Sequence, residues 1–186
     1  MRIVSGRLRG RRLTAPEGKD AVRPTSDRAR EAIFNVLMHR FQGRGFTLVG
    51  ARVVDAFAGT GAMGLEALSR GAAHVTFIDT NRDALAALKA NIRGCGVERE
   101  TAIEAADATR PPRPRQPCQL AFLDPPYEAG VLEPALAALL AGGWLDAGAI
   151  VVCEGPVTLD ITAPEGMEIV DERRYGKAKV TFLRVA

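Results

Sequence analysis

From Ala51 onward the sequence alternates between short apolar runs and longer stretches with helical periodicity. The apolar runs predict strands at about 52–57, 74–79, 101–104, 120–124 and 149–154, with helices between them at about 62–70, 82–93 and 132–141. Strands that alternate with crossover helices form a parallel sheet. The stretch from Glu168 to Val185 instead predicts an antiparallel hairpin that turns near Gly176. We therefore predict an α/β, Rossmann-like fold with a seven-stranded, mostly parallel sheet and a C-terminal antiparallel hairpin.

The segment before Ala51 does not follow this alternation. Its first residues predict short strands and a turn, and Pro24-Thr25-Ser26-Asp27 supplies residues that commonly begin a helix. Apolar residues at helical spacing then continue to about Arg40, and a glycine-containing connector spans 43–50. We predict an N-terminal extension, residues 1–42, that forms a β-hairpin and a helix, and a main domain, residues 43–186.

Positive charge is concentrated in this extension. The whole chain has a formal net charge of only +3, whereas its first thirty residues contain nine basic and three acidic residues. A basic arm of this kind can neutralise phosphates and release their counterions, although a solubilising tail would have the same composition. If the arm binds nucleic acid, the candidate contacts are Arg7, Arg9, Arg11, Arg12, Arg23 and Arg28.

A glycine-rich loop joins the first predicted strand to the following helix. It reads Asp55-Ala56-Phe57-Ala58-Gly59-Thr60-Gly61-Ala62-Met63-Gly64. Glycines there permit positive φ angles and let a ligand approach the backbone, while the amides that begin the helix attract polar groups. The spacing also satisfies the dinucleotide fingerprint, with Asp79 twenty residues after Gly59. The loop therefore predicts an adenosine-containing cofactor and leaves NAD open as an alternative.

Two acidic residues follow later strands, where ligands of open α/β sheets bind. Asp79 ends the second strand and can accept both hydroxyls of a ribose; the alternative is a helix N-cap. Asp107 follows the third strand and can accept from an adenine amino group, or it can simply form a turn. The predicted cofactor-binding residues are Asp55, Phe57, Gly59, Gly61, Asp79, Asp107 and Ala108.

The fourth predicted strand ends in Asp124-Pro125-Pro126-Tyr127. Two prolines force the chain out of the sheet with a restricted backbone. The Asp124 carboxylate and the Pro125 carbonyl can then accept the hydrogens of an exocyclic base amine, whose nitrogen lone pair is otherwise delocalised into the ring. Tyr127 offers a flat face on which an extruded base can stack. We predict that these four residues are catalytic; the alternative is an ordinary strand exit with a packed tyrosine.

Nearly the whole sequence resembles the bacterial small-subunit ribosomal RNA guanine-N2 methyltransferases. The resemblance lies in the N-terminal segments 2–13 and 23–31 and in the core segments 57–61, 64–72 and 124–127. It implies a class I fold and transfer of a methyl group from S-adenosylmethionine, leaving S-adenosylhomocysteine, to a guanine of small-subunit ribosomal RNA. The implied partner is an assembled or partly assembled small subunit. Asp-Pro-Pro-Tyr also occurs in enzymes that methylate adenine N6 in DNA, so another base or nucleic acid stays open, as does an NAD-dependent oxidoreductase.

The same resemblance gives Arg28 and Glu31 a role near the cofactor or base, against a surface pair three residues apart. Cys95, Cys118 and Cys153 show neither disulfide nor zinc spacing, so we expect no metal. The N-terminus has no apolar signal core, and no stretch is long enough to cross a bilayer. We expect a cytoplasmic monomer with no membrane partner.

Overall fold

The computed structural model describes residues 1–16, 25–127 and 130–186. The predicted RNA contact Arg23 lies outside these ranges. The helices are α1 (Asp27–Val36), α2 (Ala62–Ser69), α3 (Arg82–Cys95) and α4 (Leu132–Ala141), and the strands are β1 (Arg52–Ala56), β2 (His74–Asp79), β3 (Thr101–Ala105), β4 (Cys118–Leu123), β5 (Leu145–Pro156), β6 (Met167–Tyr175) and β7 (Ala178–Val185). A π-helical turn (Leu37–Phe41) follows α1, and a 3-10 turn (Glu98–Glu100) precedes β3.

The described strands form one sheet in the order β3-β2-β1-β4-β5-β7-β6. Strands β1 to β5 pair in parallel, and β7 lies antiparallel between β5 and β6. Chain order reverses between β1 and β4, so the carboxyl ends of these two central strands flank a crevice of the kind that binds ligands. The predicted fold class, including the C-terminal hairpin, is confirmed.

Side chains that alternate along the strands bury both faces of the sheet. Phe77 and Phe122 face a core that α1, α2 and α3 cover, whereas Ile78 and Leu123 face the core that α4 covers. Strands buried on both sides are nearly continuously apolar, as the sequence of β4 is. The helices therefore lie on both faces of the sheet, as the alternating pattern predicts.

Helix ends follow the local chemistry of the sequence. The Ser26 side chain accepts a hydrogen bond from the backbone N–H of Ala29 and caps α1, so the predicted helix start is confirmed. Asn81 caps α3 in the same way through the N–H of Ala84. The last predicted turn of α1 is π-helical, and it places Phe41 5.8 Å from Phe182, centroid to centroid.

Strand β5 begins earlier than the sequence predicts. It starts at Leu145, although the sequence Asp146-Ala147-Gly148 is typical of a turn. The pairing of β4 with β5 shifts register between Cys118 and Leu120, and this irregularity accommodates the extra residues within the strand. The prediction that the strand begins at about residue 149 is therefore wrong, while its carboxyl end lies near the predicted place.

The first residues form a short hairpin that lies on α2. The backbone N–H of Ile3 donates to the Arg11 carbonyl over 2.9 Å, and the N–H of Leu13 donates to the Met1 carbonyl over 3.0 Å. At the turn, Gly6 has φ 84°, and a Cβ there would lie 1.9 Å from the carbonyl oxygen of Ser69. Glycine is therefore required at position 6 by both conformation and space.

A buried carboxylate holds this hairpin in place. Glu66 on α2 accepts backbone hydrogen bonds from Val4 (2.9 Å) and Ser5 (3.0 Å), and its oxygens also lie 3.3 Å from Arg30 Nε and 3.0 Å from Arg70 Nε. The side chains of Glu66 and Arg30 are both wholly buried. One carboxylate thus joins the hairpin and α1 to the main domain.

We predict that Glu66→Ala destabilises the protein by about 3–5 kcal/mol, because it leaves the Arg30 guanidinium buried beside only one other carboxylate and removes the acceptor for two backbone N–H groups. Urea unfolding measures the change. Glu100→Ala is the control, because its partner Arg7 is an exposed ion pair, and it should change stability by less than about 1 kcal/mol. Equal effects of the two substitutions would contradict the role assigned to Glu66.

Candidate active site at the carboxyl edge

The glycine loop between β1 and α2 combines tight packing with one open position. A Cβ on Gly61 would lie 2.4 Å from a methyl carbon of Leu88, and one on Gly64 would lie 2.4 Å from the Phe77 ring. A Cβ on Gly59 would meet nothing within 4 Å, although its φ is positive. Phe57 has φ 61°, and it is the only residue other than glycine with positive φ among those the structure describes. The loop thus presents Gly59 to open space, where a ligand could approach the backbone.

Asp55 braces this loop from below. Its carboxylate accepts the backbone N–H of Gly64 in the first turn of α2 over 2.9 Å, and the side chain is buried. Burial raises the pKa of Asp55 to about 8; the hydrogen bond from Gly64 opposes this rise, and the negative charge of Asp79 adds to it. The predicted cofactor residue Asp55 therefore lies under the loop and contacts its backbone.

Asp79 joins the glycine loop to the start of α3. One carboxylate oxygen accepts the N–H of Gly59 and the other accepts the N–H of Asn81, each over 2.8 Å. The side chain that caps α3 belongs to Asn81, so the alternative role of Asp79 as the helix cap is wrong. Each oxygen keeps a second lone pair that can accept from a hydroxyl group.

Several of the predicted cofactor residues line one hollow of about 380 Å³, which we call the cofactor hollow. Its walls include Phe57, Asp79, Asn81, Asp107, Ala108 and Asp124. Asp107 also accepts hydrogen bonds from both the N–H and the hydroxyl of Thr109, and these bonds lower the pKa of its carboxyl group. Asp107 thus forms the turn that the sequence offered as an alternative, and it still faces the hollow.

The Asp124-Pro125-Pro126-Tyr127 segment leaves the sheet directly after β4. Asp124 lines the cofactor hollow, and Pro125 and Tyr127 line a second hollow of about 270 Å³, which we call the base hollow. Pro126 and Val131 line both. The two hollows therefore adjoin across this segment, and the Tyr127 side chain is 51% exposed at the opening.

The electrostatic environment of Asp124 disfavours its charged form. Burial raises the pKa of this carboxyl group well above its ordinary value, and the negative charges of Glu154 and Asp55 raise it further. A hydrogen bond with Thr25 acts in the opposite direction. A carboxyl group with a raised pKa at a ligand crevice is typical of a functional site.

The sequence analysis assigned no role to Glu154 or Thr25, although both lie at this site. Glu154 is near the end of β5 and lines the base hollow, and the Thr25 hydroxyl donates to its Oε2 over 2.7 Å. Burial raises the pKa of Glu154, and the hydrogen bond from Thr25 opposes that rise. An acid that ends an apolar strand is a signal that could have marked Glu154 in the sequence.

The predicted RNA contacts occupy different positions on the extension. Arg9 and Arg28 line a surface cavity of about 450 Å³ together with Arg2, Asp27 and Glu31, so Arg28 and Glu31 face the same space. Arg7 forms an ion pair of 2.6 Å with Glu100. Arg11 and Arg12 are exposed. The structure thus brings Arg9 and Arg28 together and engages Arg7 elsewhere.

Among the described residues, no cluster of His, Cys, Asp or Glu side chains is arranged to hold a metal ion. No helix in the described ranges is long and apolar enough to cross a bilayer. Cys95, Cys118 and Cys153 are buried as free thiols.

Comparison with known proteins identifies relatives along nearly the full chain. The family model described as conserved hypothetical protein 95 matches residues 1–184. The protein named ribosomal RNA small subunit methyltransferase D is 33% identical over 178 residues in Escherichia coli K12 and 31% identical over 180 residues in Haemophilus influenzae. These alignments cover 95% of this chain and 86% and 89% of the relatives, respectively. The solved structure of yhhF from Escherichia coli has a TM-score of 0.83 at 32% identity, covering 100% of this chain and 97% of that one. The resemblance predicted from the sequence is confirmed at the level of the family.

We predict that Asp55→Asn removes one component of the pH dependence of stability. The pKa of Asp55 rises from 3.8 to about 8 on folding, so its contribution is fully present below pH 3.8 and is lost as pH rises toward 8. The variant should therefore gain stability over wild type as pH rises, by at most about 1.4 kcal/mol per pH unit.

Urea unfolding at several pH values between about 5 and 8 measures the difference between Asp55→Asn and wild type. Asp146→Asn is the control, because Asp146 is exposed at the opposite edge of the sheet. Parallel stability curves for Asp55→Asn and wild type would contradict the raised pKa.

Proposed function

The chain belongs to the family described as conserved hypothetical protein 95, and on that premise we propose that it transfers a methyl group from S-adenosylmethionine to the N2 amine of a guanine in small-subunit ribosomal RNA. The observation that carries this proposal is the pair of hollows that adjoin across Asp124 and Pro126. One hollow has the polar groups that an adenosine-containing cofactor needs, and the other has the size and flat walls that suit a single base.

The residues of the cofactor hollow fit S-adenosylmethionine. Asp79 has lone pairs for the ribose hydroxyls, Asp107 has acceptor capacity for the adenine amino group, and Gly59 leaves open space beside the backbone. When bound, S-adenosylmethionine supplies a methyl group on a positively charged sulfonium. The negative edge of the hollow at Asp124 favours such a cation electrostatically.

The chain's own contribution to the reaction is to position the amine and take up its proton. The Asp124 carboxylate and the Pro125 carbonyl accept the two amine hydrogens, which localises the lone pair on nitrogen. As the new nitrogen–carbon bond forms, the amine gives up a proton, and Asp124 accepts it at a carboxylate oxygen. The raised pKa of Asp124 makes it a stronger proton acceptor than an exposed aspartate.

The base reaches this clamp by leaving its stack. Tyr127, half exposed at the opening of the base hollow, offers an aromatic face for the extruded ring. Pro125 and Pro126 have no backbone N–H, so the chain between strand and tyrosine is stiff and does not compete for acceptors. The base is thus held beside the cofactor hollow with little freedom to turn.

The extension provides the contact to the rest of the RNA. Its exposed arginines Arg9, Arg11, Arg12 and Arg28 are available to phosphates, and Arg23 belongs to the same basic segment. The relatives named ribosomal RNA small subunit methyltransferase D support ribosomal RNA as the partner. We propose that the chain acts as a monomer on an assembled or partly assembled small subunit.

We predict that Asp124→Ala lowers methyl transfer to small subunits by about 100-fold or more, because the amine loses both an acceptor and a proton acceptor. Transfer of labelled methyl groups in a single turnover measures this rate. Calorimetry should show that the variant still binds S-adenosylmethionine and that neither protein binds NADH. Asp146→Ala, a similar truncation at the opposite edge, should transfer at the wild-type rate, whereas full activity of Asp124→Ala would exclude the proposed clamp.

We predict that replacing Arg9, Arg11 and Arg12 with Ala weakens RNA binding and flattens its salt dependence by about one unit of slope per lost phosphate contact. Binding measured over a range of salt concentrations gives this slope. The control replaces Arg44, Arg113 and Arg115, three exposed arginines in loops near the amino ends of β1 and β4. A slope equal to that of wild type after the first replacement would make the arm a solubilising segment.

A further inference from the structure

Asp124 and Glu154 lie side by side at the carboxyl edge of the sheet. Strands β4 and β5 are parallel neighbours, and Leu123 pairs with Cys153, the residue before Glu154. Paired backbones in a sheet are about 4.8 Å apart, so the residues that follow this pair project from neighbouring positions. The two carboxyl groups thus adjoin at the boundary of the base hollow and the cofactor hollow.

These two carboxyl groups have few hydrogen-bond donors. Among the described residues, the Thr25 hydroxyl is the only side-chain donor that reaches either of them. No lysine or arginine in the described ranges forms an ion pair with either one. Acceptors that are partly buried without donors are costly, and burial raises the pKa of both groups. The pair is therefore suited to a ligand that brings its own N–H groups.

The other acids of the base hollow already have partners. Glu133 Oε1 accepts the backbone N–H of Thr162 over 2.7 Å, and Asp160 pairs with Lys179 over 2.9 Å while its side chain is 98% exposed. Glu154 differs, because Thr25 occupies its Oε2 and leaves Oε1 able to accept. Of these three acids, Glu154 is the one placed beside Asp124.

The edge of a guanine presents two adjacent donors, the exocyclic N2 amine and the ring N1–H. Adenine presents its N6 amine next to a ring nitrogen that only accepts. Two neighbouring acceptors therefore match guanine, whereas with adenine a carboxylate oxygen would face the lone pair of the ring nitrogen. Sites built to bind a donor strongly reject an analogue that lacks it, because their own polar groups are left unpaired.

Resting on the proposed function, we infer that Glu154 accepts a hydrogen bond from the ring N1–H of the target guanine, beside the amine held by Asp124 and Pro125, and so selects guanine over adenine. Thr25 acts through Glu154 as a positioning residue, since its hydroxyl holds one carboxylate oxygen in place. The N-terminal extension thereby contributes directly to the choice of base.

The test uses 2-aminopurine, which keeps the exocyclic amine of guanine but has an acceptor at N1 and lacks the 6-oxo group. Small subunits are reconstituted with either base at the modified position, which mass mapping of the wild-type product identifies. We predict that wild-type protein prefers guanine by about 10-fold or more in kcat/KM, as expected for a hydrogen bond to a charged group. Glu154→Gln should narrow this ratio several-fold, because the amide can donate to the ring nitrogen.

Matched variants separate selection from general damage. Asp160→Asn removes the same charge from the rim of the base hollow and should keep the wild-type ratio. Thr25→Val removes the hydroxyl and should narrow the ratio, and Thr25→Ser should restore it. Calorimetry with S-adenosylmethionine checks that each variant keeps the cofactor hollow intact.

The outcomes distinguish this inference from the proposed function. A ratio in Glu154→Gln equal to that of wild type overturns the inference, and so do equal losses of activity on both bases. Failure of the proposed function has a different result, since wild-type protein would then put no label on the N2 amine of guanine. A narrowed ratio in Glu154→Gln and Thr25→Val, with an unchanged ratio in Asp160→Asn, supports selection by Glu154.

Discussion

The site depends on the crowding of negative charge along the carboxyl edge of the sheet. Asp79, Asp55, Asp124 and Glu154 lie at or beside the ends of four neighbouring strands, β2, β1, β4 and β5. Their charges raise one another's cost: the charge of Asp79 raises the pKa of Asp55, and those of Asp55 and Glu154 raise the pKa of Asp124. Backbone N–H groups stabilise the first two carboxylates, while the last two are left with the Thr25 hydroxyl. This imbalance makes one half of the edge structural and the other half available to a ligand.

Features that depend on neighbouring residues in the chain are predictable from the sequence. The glycine loop, the acid that ends β2 and the proline exit after β4 all lie where the sequence predicts, because each follows from an apolar run and the residues that interrupt it. The topology of a parallel sheet then brings the strand ends to one edge. This is why Asp79 and Asp124 face the same hollow, as the sequence analysis requires.

Features that depend on distant pairing are not predictable in this way. Thr25 and Glu154 are 129 residues apart, and only the docking of α1 beside β5 brings them together. Glu66 sits in a helix that reads as apolar and short, and its role appears only when the hairpin, 62 residues earlier, lies on it. The early start of β5 at Leu145 likewise depends on an irregularity in its pairing with β4, which no local pattern marks.

The way the hairpin is attached also orders events during synthesis. The part of the chain made first has its partners on elements made later: Val4 and Ser5 bind Glu66, and Thr14 binds Asn91, 77 residues further along. Domains fold as their elements emerge from the ribosome. The hairpin must therefore wait until α2 and α3 have formed, and its basic side chains stay undocked beside a ribosome for that interval.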